Sequence, residues 1–324
     1  MTKIYDLLWY LAAERQRMFF GKLDNSYQTK DPLLRDFKFT NAYRASDRTS
    51  QYLIQNVIYR GSQKPEELFF RIVLFKTFNH IPTWMHLEIA LGHIPEWSSY
   101  TYVRYNEALT QVYQNGDALY SFAYMIPGKF RGYNLPHKYQ NHLRILEKMM
   151  KDRLWEKIKR TENMEEVFKM LHAYPGMGPF LSYQFAIDLN YSTLTNFSEN
   201  DFVWPGRGSV DGVVRCFGRK MSFREAAVMI RLTMMKQNEE FYKRHIDFKT
   251  LWGRQLQLID VQNLFCEVGK YGRVMHPKIA GISGRKRMKR RYSPHPTPLR
   301  YWFPPKWHIN ERIPESMRAS VRWP

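Results

Sequence analysis

The sequence predicts an all-α, mainly helical chain with a basic, proline-rich C-terminal arm. Three observations predict it. Apolar residues recur at helical spacing along most of the chain, and turn-separated alternating strands are absent. Hydrophobic residues make up 44% of the 324 positions and aromatic residues 16%, enough for a buried core and too many for extended disorder.

The elements follow in order. Ile4, Leu7, Leu8 and Leu11 have the spacing of a first helix. Its segment, interrupted by Asp6, Glu14 and Arg15, lacks the apolar run and small-residue cleavage site of a signal peptide. Pro65, Glu66 and Glu67 open a second apolar run, with the imino acid and the acids where a helix start favours them. Residues 101–115 read as a helix ended by Gly116. Residues 137–159 are a basic helical stretch with room for a break, and Leu143, Leu146, Met150 and Leu154 face inward. Ser222-Phe-Arg-Glu225 is a capping box ahead of a long helical run. A last helix covers about 248–268, and SFAYMI at 121–126 is the one strand candidate.

Composition changes near residue 281, which predicts a helical body over 1–280 and an arm over 281–324. Between residues 285 and 291 the arm holds six basic residues, Arg285, Lys286, Arg287, Lys289, Arg290 and Arg291, and from Pro294 on seven prolines, a density that blocks regular structure. Trp302, Phe303 and Trp307 are expected to pack it on the body, and its cations to contact DNA.

Fifty Lys and Arg against thirty Asp and Glu leave a charge of +20, a field that attracts polyanions, nucleic acid first among them. Two cysteines exclude a disulfide framework, a four-thiolate iron–sulfur cluster and a cysteine-rich zinc site. The ten histidines show no metal-pair spacing, so neither metal nor cofactor is expected. No stretch has the length of a membrane span. The expectation is a cytoplasmic protein, monomeric, with double-stranded DNA as its partner.

Two segments carry chemistry. In Leu171-His-Ala-Tyr-Pro175-Gly176-Met177-Gly178-Pro179, two glycines form a tight turn between two helices. Such a turn aims the amides of Gly176, Met177, Gly178 and the next helix start outward, where they suit a DNA phosphate. The same residues also suit an ordinary helix–helix turn. The second segment, Asp36 to Tyr52, concentrates polar groups: Asn41 offers donor and acceptor, and Arg44 a planar fork. Its alternative is a capping region with Ser46 or Asp47 at a helix start.

The hairpin, together with Val210-Asp211-Gly-Val-Val-Arg215 downstream, resembles the helix-hairpin-helix DNA glycosylase superfamily. That resemblance implies a two-lobed helical fold, with the hairpin at about 162–190 and a catalytic loop at about 191–215. It implies Asp211 as the carboxylate that stabilises a sugar cation during base removal. The position where lyase-type members carry a lysine is Phe180 here, which implies a monofunctional enzyme.

The blocks F-x-F-T-N-x-Y-R-x-x-D-R at 37–48, I-P-T-W at 81–84, G-P-F-L-S-Y-Q-F-A-I-D-L-N-Y at 178–191 and D-F-V-W-P-G-R-G-S-V-D-G at 201–212 carry a closer resemblance. They are similar to a family that includes the helical domain associated with phage 5-hydroxymethyluracil DNA kinases and α-glutamyl/putrescinyl thymine pyrophosphorylases. A bacterial anti-phage glycosylase acting on α-glucosylated 5-hydroxymethylcytosine falls in the same group. The resemblance covers about residues 35–220. It implies Asn41 beside the scissile bond, with Arg44, Tyr43, Asp47, Gln184 and Trp204 around a flipped base. The leading expectation is therefore a DNA N-glycosylase that excises a bulky modified pyrimidine from phage DNA. A transferase or pyrophosphorylase of thymine hypermodification, and a non-catalytic DNA-binding module, are its alternatives.

Overall fold

The computed structural model describes every residue except Asn25, Phe122, Tyr124, Met125, Lys289 and 322–324. Three of the six residues of the strand expected at 121–126 lie outside the described residues, as does Lys289 of the basic run.

Fourteen α-helices are present among the described residues. In chain order they are α1 (Lys3–Asp24), α2 (Pro32–Asp36), α3 (Arg48–Tyr52), α4 (Pro65–Phe78), α5 (Ile81–Leu91), α6 (Tyr102–Gln114) and α7 (Lys138–Lys151). Then follow α8 (Leu154–Lys159), α9 (Met164–His172), α10 (Pro179–Asn190), α11 (Arg207–Phe217), α12 (Phe223–Met235), α13 (Gln237–Lys243) and α14 (Leu258–Met275). Extended pairing among the described residues is limited to isolated bridges. The protein is all-α.

The expected starts and stops are governed by local chemistry. Pro65 occupies the first turn of α4 with Glu66 and Glu67 beside it, and Thr101 caps α6 through the Arg104 amide. The basic stretch breaks at Arg153, whose left-handed φ of 50° ends α7 and begins α8. Leu143, Leu146, Met150 and Leu154 are all buried. Ser222 and Glu225 form the reciprocal capping box of α12.

Two boundaries differ from expectation. The run after Ser222 divides at Lys236 into α12 and α13. The last helix begins at Leu258 rather than 248 and continues to Met275. Residues 248–257 instead turn at Trp252 and Gly253, both at positive φ, and close a Leu251–Arg254 bridge that buries Leu251. Gln257 and Asp260 then cap α14.

The chain forms two compact units, one of Met1–Asp47 and Phe202–Ala319, the other of Arg48–Asp201 and Ser320–Pro324. In the first, α1, α11, α12 and α14 pack together. Residues 281–319 of the arm fall in this unit. Proline confines the arm to short 3-10 turns at Pro305–Trp307, Asn310–Arg312 and Glu315–Met317. Its aromatics anchor it: Tyr301 meets Phe19 edge-on at 5.0 Å, Phe303 lies 5.9 Å from Trp252, and Trp307 stacks on Phe303. In the second unit, α4 packs against α7, α8 and α10, and α9 and α10 form the helical hairpin. Lys76 and Asp188 make a buried ion pair of 2.7 Å between α4 and α10.

Candidate functional site

The first unit's polar site is built on a close helix crossing. A Cβ on Gly212 would stand 1.8 Å from the Phe265 carbonyl oxygen, and one on Gly269 would stand 3.1 Å from Gly212 Cα. Only glycine lets α11 and α14 approach this closely. The crossing fixes the residue before Gly212, which is Asp211. Asp211 therefore stands in α11, five residues from Gly206 at the helix cap and not in the loop expected over 191–215.

Asp211 is fully buried. Its Oδ2 pairs with Arg215 Nε at 3.1 Å, one helical turn on, and lies 3.9 Å from Arg273 of α14. Its Oδ1 accepts the Ser283 amide at 2.8 Å. Arg215 also donates to the Ile279 carbonyl. The segment 279–283 thus covers the aspartate like a strap. Gly281 is required there, because its Cβ would fall 2.1 Å from Asp211 Oδ1 and 2.7 Å from Arg215 Nε. Burial pulls the Arg273 guanidinium down, opposed by Asp211, and pushes the nearby Cys266 thiol up to about 11. Both cysteines are free.

Residues 39–47 lie against another stretch of α14. Asn41 Oδ1 accepts from Arg15 of α1 at 3.0 Å, and its Nδ2 donates to the Ser46 carbonyl at 2.9 Å. Its amide donates to Asp47 Oδ1 at 2.9 Å. The Thr40 amide donates to Glu267 of α14, and the Arg44 amide to Asp260 at its start. Asp47, just before α3, is the acceptor of the Asn41 amide. Burial pushes its carboxyl up to about 6, against the pull of the Asn41 amide and of Arg15. Tyr43 is a packing residue: buried, donating to the Arg254 carbonyl and stacked on Phe248. Arg44 is buried and Trp204 half-buried.

The basic run frames this segment. Phe37 bridges Arg291, the Lys38 amide donates to Arg290, and the Tyr292 amide donates to Asp36. Arg291 lies over Phe37 and within 3.6 Å of Asp36. Arg285, Lys286, Arg287, Arg290 and Arg291 are exposed.

In the second unit Gly176 takes φ +78°, and Gly178 stands at the head of α10 with no side-chain cap. The turn is tightened by Met177 N–H to Tyr174 and by His172 Nδ1 against the Met177 carbonyl. Met177 is buried; Gly178 has open space where a Cβ would be. Gln184 is buried on α10.

Of the expected site residues, Asn41, Tyr43, Arg44, Asp47, Trp204 and Asp211 belong to the first unit, and Gln184, Gly176, Met177 and Gly178 to the second. Sequence reading missed Arg15, Asp260, Glu267, Arg273 and the Gly281–Ser283 strap. Arg215 carried a signal, since its spacing from Asp211 is that of a helical ion pair. Arg15 and Glu267 carried none, being 26 and 227 residues from their partners. Among the described residues no group of three or more His, Cys, Asp or Glu is gathered as for a metal, and no helix is long and apolar enough to cross a membrane.

The family described as "5-hmdU DNA kinase, helical domain" matches residues 2–281. The 5-hmdU DNA kinase of Bacillus phage SP10 is 23% identical over 295 residues, covering 83% of this chain and 45% of its own. The chain thus spans less than half the length of that relative. No solved structure matches.

These likenesses overturn the N-glycosylase expectation. The matching family and the phage relative are named for a kinase, a transferase, and not for a hydrolase of N-glycosyl bonds. Asp211 itself is covered by residues 279–283, with both oxygens engaged.

Proposed function

The chain belongs to the 5-hmdU DNA kinase helical-domain family, and on that premise we propose that it is the DNA-engaging module of a transferase acting on a 5-substituted pyrimidine in phage DNA. The observation that carries the reading is the match of 280 consecutive residues, 2–281, to a domain of an enzyme named for a modified base in DNA. The charge of +20 and the uncapped glycine hairpin support DNA as the partner. The sequence has no Walker-type phosphate loop, so the reading gives this chain the base and the DNA backbone rather than a nucleotide donor.

The segment with Asn41 and Asp47 is the part we assign to the pyrimidine substituent. A transfer to a 5-hydroxymethyl oxygen forms a bond from that oxygen to the transferred group, breaks the bond by which the donor held the group so that the rest of the donor leaves, and releases the hydroxyl proton. A carboxyl pushed up to about 6 takes a proton near neutral pH more readily than an ordinary aspartate. Asp211 is assigned a positioning role: it holds residues 279–283 and so sets where the basic run begins.

The test uses the full chain with duplexes carrying 5-hydroxymethyluracil or thymine, with and without a nucleoside triphosphate. Readouts are affinity, nucleoside mass and strand cleavage by mild alkali. The reading expects about fivefold tighter binding to the hydroxymethylated duplex, about 1 kcal/mol, with strands that resist alkali. A mass gain on the modified nucleoside would locate the whole transfer here; preference alone would leave the chain the DNA-engaging part. Equal affinity for both duplexes, or release of free base, would refute the proposal.

A further inference from the structure

Beside the hairpin lies a second glycine-bounded loop, Gly128-Lys129-Phe130-Arg131-Gly132, which the functional reading does not use. Its ends are tied: Phe130 and Tyr133 exchange backbone hydrogen bonds of 3.3 and 2.9 Å, and Gly132 turns the chain at φ +83°. The Phe130 ring stacks on His142 at 6.2 Å with planes 6° apart, and it packs against Gly176 of the hairpin. A Cβ on Gly176 would meet that ring at 3.0 Å. The two loops are keyed together by one aromatic side chain.

Lys129 precedes the anchored Phe130, and Arg131 follows it in the turn that Gly132 closes. Both are exposed. The cations of the adjacent cleft, about 710 Å³ in volume, are committed: Arg144 and Lys151 to Glu147, and Lys148 to Asp152. Lys129 and Arg131 have no acidic partner among the described residues. Gly132 and Gly178 leave open space for another surface to approach the backbone.

We propose that the Lys129–Arg131 loop and the Pro175–Gly178 hairpin form a two-loop clamp on the phosphodiester backbone of duplex DNA. The hairpin presents a helix start, and the loop presents two fixed cations. The clamp is sequence-independent, and it rests on the reading of the chain as a DNA-engaging module.

Anisotropy of a labelled, unmodified duplex, titrated from 50 to 200 mM salt, tests it. Each lost phosphate contact reduces the slope of log K against log salt by about 0.9. Lys129→Ala/Arg131→Ala is expected to lower the slope by about 1.8 and weaken binding roughly tenfold at the lower salt. Phe130→Ala keeps both charges and is expected to weaken binding by several-fold. The exposed pair Lys159→Ala/Arg160→Ala, with the same charge change elsewhere on the surface, is expected to leave the slope within about 0.5 of the parent's. All three variants are checked for an unchanged melting transition. An unchanged slope in the loop variant, or an equal loss in the Lys159/Arg160 control, overturns the clamp and leaves the DNA reading standing. A parent chain that fails to bind duplex at 50 mM salt overturns both.

Discussion

Gly281→Ala is the most demanding test of how the strap is held. The new methyl would lie 2.1 Å from Asp211 Oδ1, 2.7 Å from its Cγ and 2.7 Å from Arg215 Nε. Neither partner is the loose end of a surface side chain, since both are buried and paired. Two responses are open. Moving the carboxylate aside disrupts a buried ion pair, at about 3–5 kcal/mol. Lifting residues 279–283 instead gives up two hydrogen bonds to charged groups, Ser283 to Asp211 and Arg215 to Ile279, worth about 1.5–3 kcal/mol each. Water reaching the exposed groups returns part of that, and Asp211 and Arg215 stay paired. The strap therefore lifts, at a net of about 2–3 kcal/mol, and the helices below stay folded. Amide exchange at Ser283 should accelerate roughly 30- to 150-fold, with faster tryptic cleavage at Arg285 and Lys286. Gly284→Ala is the control: φ there is +62° with open space around it, so it costs about 1 kcal/mol of strain and no clash. Protection of Ser283 within twofold of the parent's would refute the packing argument.

Two further predictions concern pH. In Asp47 the folded carboxyl sits near 6, above its ordinary value, so the native state holds the proton more tightly than the unfolded chain. Stability from this group is present at about pH 4 and lost as pH rises towards 6, by no more than about 3 kcal/mol and less after screening at a half-buried site. Asp47→Asn should therefore gain melting temperature relative to the parent as pH rises from 4 to 7; a constant difference would count against it. His142 has the opposite sign. Burial pulls its imidazole down to about 4, so its contribution is present above about 6.5 and lost as pH falls towards 4. His142→Gln should flatten that acid limb in a melting series, and an unaltered limb would show that His142 does not govern it.

What was legible in the sequence had local causes. Pro65 with its two acids, the Ser222–Glu225 box and the inward positions of 137–159 depend on neighbours within a few residues, and all stand where their spacing puts them. The misplacements have tertiary causes. Residues 248–257 resemble helix in composition, but Leu251 and Leu256 are buried through a turn at Trp252 and Gly253. Gly212 reads as part of a turn dipeptide until Phe265 of α14 is found to occupy the space of its missing side chain. The site was legible in its residue types and not in its contacts. Asn41 was singled out, but the arginine that holds it comes from α1, and Glu267, which receives the Thr40 amide, comes from α14.

Asp211 shows why a short motif does not fix a reaction. A glycine after an aspartate has one packing consequence, a helix crossing that brings the carboxylate under α14, and that consequence is independent of what the carboxylate then meets. With a sugar above it, such a group would stabilise a cation. Here it meets the Ser283 amide, Arg215 and Arg273. Two arginines beside one aspartate leave the buried cluster with surplus positive charge. The same contacts tie the strap down a few residues before Arg285, while the 36–38 segment pairs with residues 290–292 beyond it. The basic run is held at both ends, so its cations are presented from a loop of fixed anchorage rather than from a free tail. For a ligand bound by phosphate contacts, that restraint lowers the ordering cost of each contact. Through the chain it holds, the aspartate sets how the basic run is presented.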